Sequence, residues 1–95
     1  MFRIERVFQN DQTVILSVQG YITDRVLDTW SEQLNIVVND LKPQVILNFH
    51  GVSFISPGAL LALKALDTTN IFLMNCSPVI RNMVQSAGLS GMLIG

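Results

Sequence analysis

The chain has 95 residues, a length that suits one domain with one hydrophobic core. Six basic and seven acidic side chains give a formal net charge of −1, and the basic residues are scattered, which argues against binding to nucleic acid or anionic lipid. Hydrophobic residues make up 49% of the chain, but no apolar run approaches the roughly 20 residues that span a bilayer. The N-terminus does not have the pattern of a signal peptide. We therefore expect one cytoplasmic domain over residues 1–95.

The N-terminal part of the chain predicts a β-hairpin. Phe2 and Ile4 alternate with charged residues, which is typical of a half-exposed strand. Asn10 and Asp11 supply the chemistry of a turn. The β-branched run that follows predicts a second strand, which ends at Gly20.

From Thr23 the hydrophobic pattern changes to that of an amphipathic helix. Apolar residues recur at steps of three and four: Leu27, Trp30, Leu34, Val37, Val38 and Leu41. Asp24 and Asp28 lie near the start of this helix, where the helix dipole favours negative charge. Pro43 is predicted to end the helix.

Two nearly all-apolar runs, residues 44–49 and 70–75, predict strands that are buried on both faces. The first run leads into a loop over residues 50–54 and then into a second helix. Ser56 is a favoured N-cap residue and Pro57 suits the first helical position. Gly58 is unexpected there, since glycine costs a helix roughly 0.5–1 kcal/mol relative to alanine.

A third helix is predicted to start at Ser77 and Pro78 and to end at Gly88. Its apolar face is predicted from four residues: Val79, Ile80, Met83 and Val84. Residues 91–94 predict a last short strand. The order β-β-α-β-α-β-α-β implies an α/β fold, with a mixed β-sheet, an N-terminal hairpin and helices packed on the sheet.

Few residues of this chain carry catalytic chemistry. His50 lies at a predicted strand end, where a ligand role is conceivable, but no acidic residue stands near it in sequence, so a structural or exposed histidine is the favoured interpretation. Cys76 precedes a helix start, which would lower the thiol pKa if the sulfur faced that end; the alternative is a small buried hydrophobe. One histidine and one cysteine do not make a metal site. We expect no metal, no cofactor and no enzymatic activity.

Two blocks of the sequence, residues 45–66 and 70–89, resemble the STAS domain family (sulfate transporters and anti-sigma factor antagonists). The matching positions are Val45 to Phe49, Gly51-Val52, Phe54-Ile55, Leu60, Ser77-Pro78-Val79 and Gly88-Leu89. Gly20 fits the family glycine between the second strand and the first helix. The resemblance implies a STAS-like domain over residues 1–95, apparently without the usual C-terminal helix.

The resemblance also assigns the start of the second helix. In the gapless register, Ser56, Pro57, Gly58 and Ala59 stand where the family has Asp, Ser, Ser and Gly. Partner kinases of the anti-sigma factor antagonists phosphorylate the second of those serines, which is Gly58 here, so the usual switch is lost. Ser56 remains a phosphorylation candidate if a kinase accepts the cap residue. Thr23 stands where an acidic residue is common.

The resemblance implies a non-catalytic interaction module, similar to the anti-sigma factor antagonists of bacteria. We expect the partner-binding surface to include the exposed flank of the second helix and the following residues: Thr23, Asp24, Ser53, Ser56, Pro57, Gly58 and Ala59. The partner would be a kinase-like anti-sigma factor or a transporter ATPase, and a homodimer is also expected from the apolar composition.

Two alternatives to this interpretation remain open. The first is a STAS domain that senses a small anion, nucleotide or lipid at the helix start formed by Ser56 and Gly58, or that serves as an accessory subunit of a membrane transporter ATPase. The second is an enzyme that uses His50 and Cys76.

Overall fold

The computed structural model describes residues 1–39, 44–66 and 70–94. Within these ranges the chain forms a five-stranded sheet and three α-helices, with short 3₁₀ turns at Asp24–Val26 and Ser90–Met92. In chain order the elements are β1 (Phe2–Gln9), β2 (Thr13–Ile22), α1 (Leu27–Asn39), β3 (Gln44–Ile55), α2 (Pro57–Lys64), β4 (Ile71–Met74), α3 (Pro78–Ser86) and β5 (Leu93–Ile94).

The strands lie in the sheet in chain order, β1-β2-β3-β4-β5. β1 is antiparallel to β2, and the other neighbouring pairs are parallel. The predicted hairpin is confirmed: Asn10 Oδ1 accepts the backbone N–H groups of Gln12 and Thr13 at 2.8 Å and closes the turn. The second strand continues to Ile22, so Gly20 lies inside it with φ 100° rather than at its end.

One face of the sheet carries the hydrophobic core. Every second residue of the three central strands is buried there: Val14, Leu16, Val18, Val45, Leu47, Phe49, Ile71 and Leu73. Apolar side chains of all three helices join the same cluster. This is expected because each helix connects a strand to its next neighbour in the same direction, and connections of one handedness then place every helix on the same face of the sheet. The prediction that β3 and β4 are buried on both faces is wrong, because Ile46, Phe72 and Met74 on the opposite face are only half-buried.

The loop predicted over residues 50–54 is also wrong, because β3 runs without interruption from Gln44 to Ile55. Parallel pairing with β2 continues to the pair Ile22 and Ile55, with irregularities in register near Gln19 and Gly20. Backbone hydrogen bonding to β2 therefore outweighs the turn signals of the sequence. The strand delivers the chain directly to Ser56, the cap of α2.

The first helix is confirmed from Leu27 to Asn39, and it follows a single 3₁₀ turn. Its predicted residue Leu41 and its predicted end at Pro43 lie outside the described residues. None of the helices in the described ranges is long and apolar enough to cross a membrane.

The third helix and its end follow the prediction closely. Ser77 Oγ accepts the backbone N–H of Ile80 at 3.3 Å as the N-cap. At the other end Gly88 has φ 79°, and the N–H of Leu89 donates to the carbonyl of Val84 at 3.0 Å. This left-handed ending is one that glycine permits at low cost.

The face predicted for α3 needs one correction. Ile80 and Val84 are buried and Met83 is half-buried, but Val79 is 67% exposed. Because a helix turns by about 100° per residue, Val79 points about a quarter turn away from Ile80 and off the core face. It adds an apolar side chain to the surface instead.

Candidate functional site

The candidate site is the start of α2, where the chain leaves β3. Ser56 Oγ accepts the backbone N–H of Ala59 at 3.1 Å, which makes Ser56 the N-cap, and Pro57 follows as the first helical residue. The backbone N–H of Ser56 donates to the carbonyl of Ile22 at 2.8 Å. Ser56 is only 4% exposed. Its hydroxyl is therefore both engaged in the cap and enclosed by protein.

Trp30 of α1 fixes the position of this helix start. Its indole Nε1–H donates to the carbonyl of Ala59 in the first turn of α2 at 3.0 Å, and the ring is fully buried. The ring of Phe2 meets the indole edge to face, with centroids 5.5 Å apart and planes at 90°. A buried indole N–H needs an acceptor, so this hydrogen bond holds α2 against α1, and the aromatic contact holds α1 against β1.

Gly58 lies against the start of α1 and the 3₁₀ turn that precedes it. A Cβ atom at this position would lie 2.8 Å from Oδ1 of Asp24 and 3.1 Å from Cδ1 of Leu27. Both distances are shorter than ordinary van der Waals contact, so the two side chains occupy the space that a side chain at position 58 would need. A side chain at position 58 would displace the exposed carboxylate of Asp24 and press on Leu27, so the packing favours glycine in this first helical turn.

The neighbour of Gly58 is an acid. The carboxylate of Asp24 is exposed and lies beside the N-terminal turn of α2, where the partial positive charge of the helix dipole favours it. The residue before it, Thr23, is half-buried; its carbonyl accepts the N–H of Val26 at 3.1 Å, and its side chain makes no capping hydrogen bond. The acidic group at the candidate site therefore comes from position 24, not from position 23.

The predicted site residues are brought together only in part. Asp24 lies beside Gly58. Gly58 in turn belongs to the same helix start as Ser56, Pro57 and Ala59. Ser53 is exposed, but it lies on β3 rather than on the predicted loop.

An apolar groove next to this helix start was not predicted in full. It has a volume of about 370 Å³, and α2 and α3 line it with Pro57, Leu60, Leu61, Met83, Ser86 and Ala87. Leu61 is 61% exposed at its rim. The sequence indicated the exposed flank of α2 because that helix is apolar on nearly every side, but the contribution of α3 depends on how the two helices pack.

His50 and Cys76, the two candidate catalytic residues, lie on different parts of the fold, His50 on β3 and Cys76 between β4 and α3. His50 is exposed on β3, and its backbone N–H donates to Asn48 Oδ1 at 3.0 Å. Burial raises the pKa of the half-buried Cys76 thiol, and the positive charge of Arg81 lowers it by a smaller amount. This net direction is opposite to the one expected for a thiol at a helix start. Within the described ranges, no three His, Cys, Asp or Glu side chains are grouped as metal ligands.

Comparison with known proteins identifies the family. The STAS domain family matches residues 6–93, and the chain belongs to this family. No curated protein sequence gives a match.

Solved structures show the same fold. The chain is similar to the unphosphorylated form of the anti-sigma factor antagonist SpoIIAA, with a TM-score of 0.71 and 20% identity over 97% of this chain and 86% of that one. It is also similar to the phosphorylated form of the Bacillus cell fate determinant SpoIIAA, with a TM-score of 0.62 and 19% identity over 97% and 89% of the two chains. A Shewanella loihica protein described as having a SpoIIAA-like fold gives a TM-score of 0.55 at 10% identity, over 92% and 76%.

We predict that Trp30→Phe lowers the free energy of unfolding by about 1–3 kcal/mol, because it removes the hydrogen bond to Ala59 and part of a buried ring. Urea denaturation measures the change. The control is Tyr21→Phe at an exposed aromatic residue, which should stay within about 0.5 kcal/mol of the parent chain. Equal stability of the two variants would contradict the bracing role of Trp30.

We also predict that Cys76 reacts slowly with Ellman's reagent at about pH 8, since a raised pKa reduces the thiolate fraction. The native chain should react more slowly than the same chain in urea. Arg81→Gln should slow the native reaction further, because the positive charge of Arg81 lowers the thiol pKa. A native rate above the rate in urea would indicate an activated thiol.

Proposed function

We propose that this STAS domain is a non-catalytic protein-interaction module, a cytoplasmic bacterial regulator of the anti-sigma factor antagonist type. In this proposal the usual phosphorylation switch is lost, and the domain binds its partner whether or not ATP is available. The observation that carries the proposal is the close packing of Asp24 and Leu27 around Gly58.

The helix start offers no accessible hydroxyl at position 56 or at position 58. Gly58 has no side chain, and the space for one is taken by Asp24 and Leu27. Ser56 is 4% exposed, and its Oγ is occupied by the N–H of Ala59. Transfer of a phosphate to Ser56 would require the cap to open first, which costs about 1 kcal/mol for the lost cap before the exposure of buried neighbours is counted.

Electrostatics also oppose a phosphate at this place. The carboxylate of Asp24 already provides the negative charge that a helix N-terminus favours. A phosphate beside it would be repelled by a like charge at short range. Asp24 therefore supports a surface with a fixed negative charge, in contrast to one whose charge changes on phosphorylation.

The groove between α2 and α3 supplies the apolar part of the proposed binding surface. It opens next to Pro57, and Leu61 at its rim is exposed. Apolar pockets rimmed by polar groups are typical of protein–protein contacts. We propose that a kinase-like anti-sigma factor binds across the helix start and this groove, with Asp24 at the polar rim.

The first test of the proposal is phosphorylation. Incubation with a kinase-like anti-sigma factor from the same genome and ATP should leave the intact mass of the protein unchanged, because neither Gly58 nor Ser56 presents a hydroxyl. The antagonist that the kinase normally modifies serves as the positive control for its activity.

A single added phosphate that maps to Ser56 would overturn this part of the proposal. Ser56→Ala confirms the mapping if it abolishes the added mass. Gly58→Ser then shows whether the missing hydroxyl alone accounts for the lost switch: modification of that variant at position 58 supports this explanation.

The second test concerns the groove. Leu61→Asp should weaken binding to the anti-sigma factor by about tenfold or more, since it places a charge in an apolar contact. Ile36→Asp is the matched control, because Ile36 is also a helical aliphatic residue, 57% exposed, and does not line the groove. Calorimetry measures affinity, and circular dichroism confirms that both variants are folded. Equal affinity of the two variants would remove the groove from the proposal.

A further inference from the structure

The strand β1 lies at one edge of the sheet formed by the described residues, and its eight residues make it a long edge strand. Natural proteins usually shorten or protect such edges, because unpaired N–H and C=O groups can pair with another chain. This edge carries no proline. The outer backbone groups of β1 are therefore available to pair with another strand.

The hydrogen bonds of the hairpin define which β1 groups point outward. Asn10 N–H donates to Thr13 O at 2.9 Å, and Tyr21 N–H donates to Met1 O at 2.8 Å. In an antiparallel pair the bonded residues alternate, so the backbone groups of Arg3 and Glu5 point toward β2. The backbone N–H and C=O groups of Phe2 and Ile4 then point outward from the edge of the sheet, away from β2.

We propose that β1 pairs antiparallel with β1 of a second copy of this chain, with Ile4 opposite Ile4 on the two-fold axis. In this register the outward N–H and C=O groups of Ile4 bond to the same groups of the second copy. The two sheets become one continuous sheet, and both helical layers lie on the same side of it. Such an interface is isologous, as a closed dimer requires.

In this register the charged side chains of β1 face opposite charges on the second copy, across the two-fold axis. Arg3 lies opposite Glu5 of the second copy, and Glu5 lies opposite Arg3 of the second copy. Both side chains are exposed on the open face of the sheet, where they already form an ion pair within one chain at 3.5 Å. Shifting the register by two residues in one direction would instead place Glu5 opposite Glu5. Opposite charges facing each other across neighbouring strands stabilise the pair, and like charges destabilise it.

Two further features of the edge agree with a dimer. The bulge between Arg6 and Phe8 changes the direction of the strand, so the proposed pairing ends there. On the helical side of the edge, a groove of about 380 Å³ lies next to Ile4 and is lined by Met1, Phe2, Ile4, Val26, Thr29 and Gln33. Met1 is almost fully exposed in the single chain. The second copy would cover this apolar surface.

The edge shares no residue with the start of α2, so this proposal and the proposed function are independent of each other. Sedimentation velocity over a range of concentrations should show a reversible dimer of the parent chain. Arg3→Glu and Glu5→Arg should each raise the dimer dissociation constant by about tenfold or more, because two attractive pairs become two repulsive ones. The double variant Arg3→Glu/Glu5→Arg restores opposite charges and should restore the dimer.

Lys64→Glu is the control, because it reverses an exposed charge on α2, a helix that does not line the edge groove, and it should leave the dissociation constant unchanged. Amide exchange gives a second measurement: the N–H of Ile4 should become more protected as concentration rises, whereas the N–H of Glu5, which points toward β2, should not change. The proposal is overturned by a chain that stays monomeric throughout, or by a dimer that the two single charge reversals leave intact. Failure of the double variant to restore the dimer would exclude this register.

Discussion

The hydrogen bond from Trp30 Nε1 to the carbonyl of Ala59 is the contact on which the arrangement of this domain depends. The donor comes from α1 and the acceptor from the first turn of α2, while Phe2 of β1 packs against the same ring. Because the indole is fully buried, separating these elements would leave its N–H unpaired, at a cost of about 1–3 kcal/mol. One side chain thus sets the distance between the two helix starts.

That distance explains the chemistry of the candidate site. With α1 held close, Asp24 and Leu27 fill the space next to the first turn of α2, and only a residue without a Cβ fits at position 58 without movement of its neighbours. The helix propensity lost at Gly58 is offset by the cap at Ser56, because both are worth about 1 kcal/mol. Under the proposed function, the same packing favours a residue without a hydroxyl at the position where a phosphorylation switch would need one.

The sequence predicted the order of the elements because hydrophobic period and helix caps are local signals. Ser56 and Ser77 cap the helices that they were expected to cap. The extent of β3 was not predictable in this way, since His50 and Gly51 resemble a turn and only the pairing with β2 keeps them extended. The exposure of Val79 likewise depends on where α3 rests on the sheet.

The start of α2 was predictable from the sequence, but the contacts that surround it were not. The family resemblance located Gly58, yet nothing in the local sequence indicated that Asp24 would be its neighbour, because that contact joins residues more than thirty positions apart. The hydrogen bond of Trp30 was not predictable for the same reason. In the sequence Trp30 is one apolar residue of an amphipathic helix, and the acceptor of its indole N–H lies on another helix. Contacts between helix starts are a property of packing, which a single sequence does not display.

The high hydrophobic content of the chain has a structural consequence that links the fold to interaction. Only one face of the sheet is covered by the described helices, so Ile46 and Phe72 remain half-buried on the other. Further apolar surface is left on α2 and α3, where Leu61 and Val79 are exposed. A core of this size cannot enclose 49% hydrophobic residues in a chain of 95. Apolar side chains that the fold leaves exposed are removed from water only when another surface covers them, and exposed apolar patches of this kind typically mark contacts with other proteins.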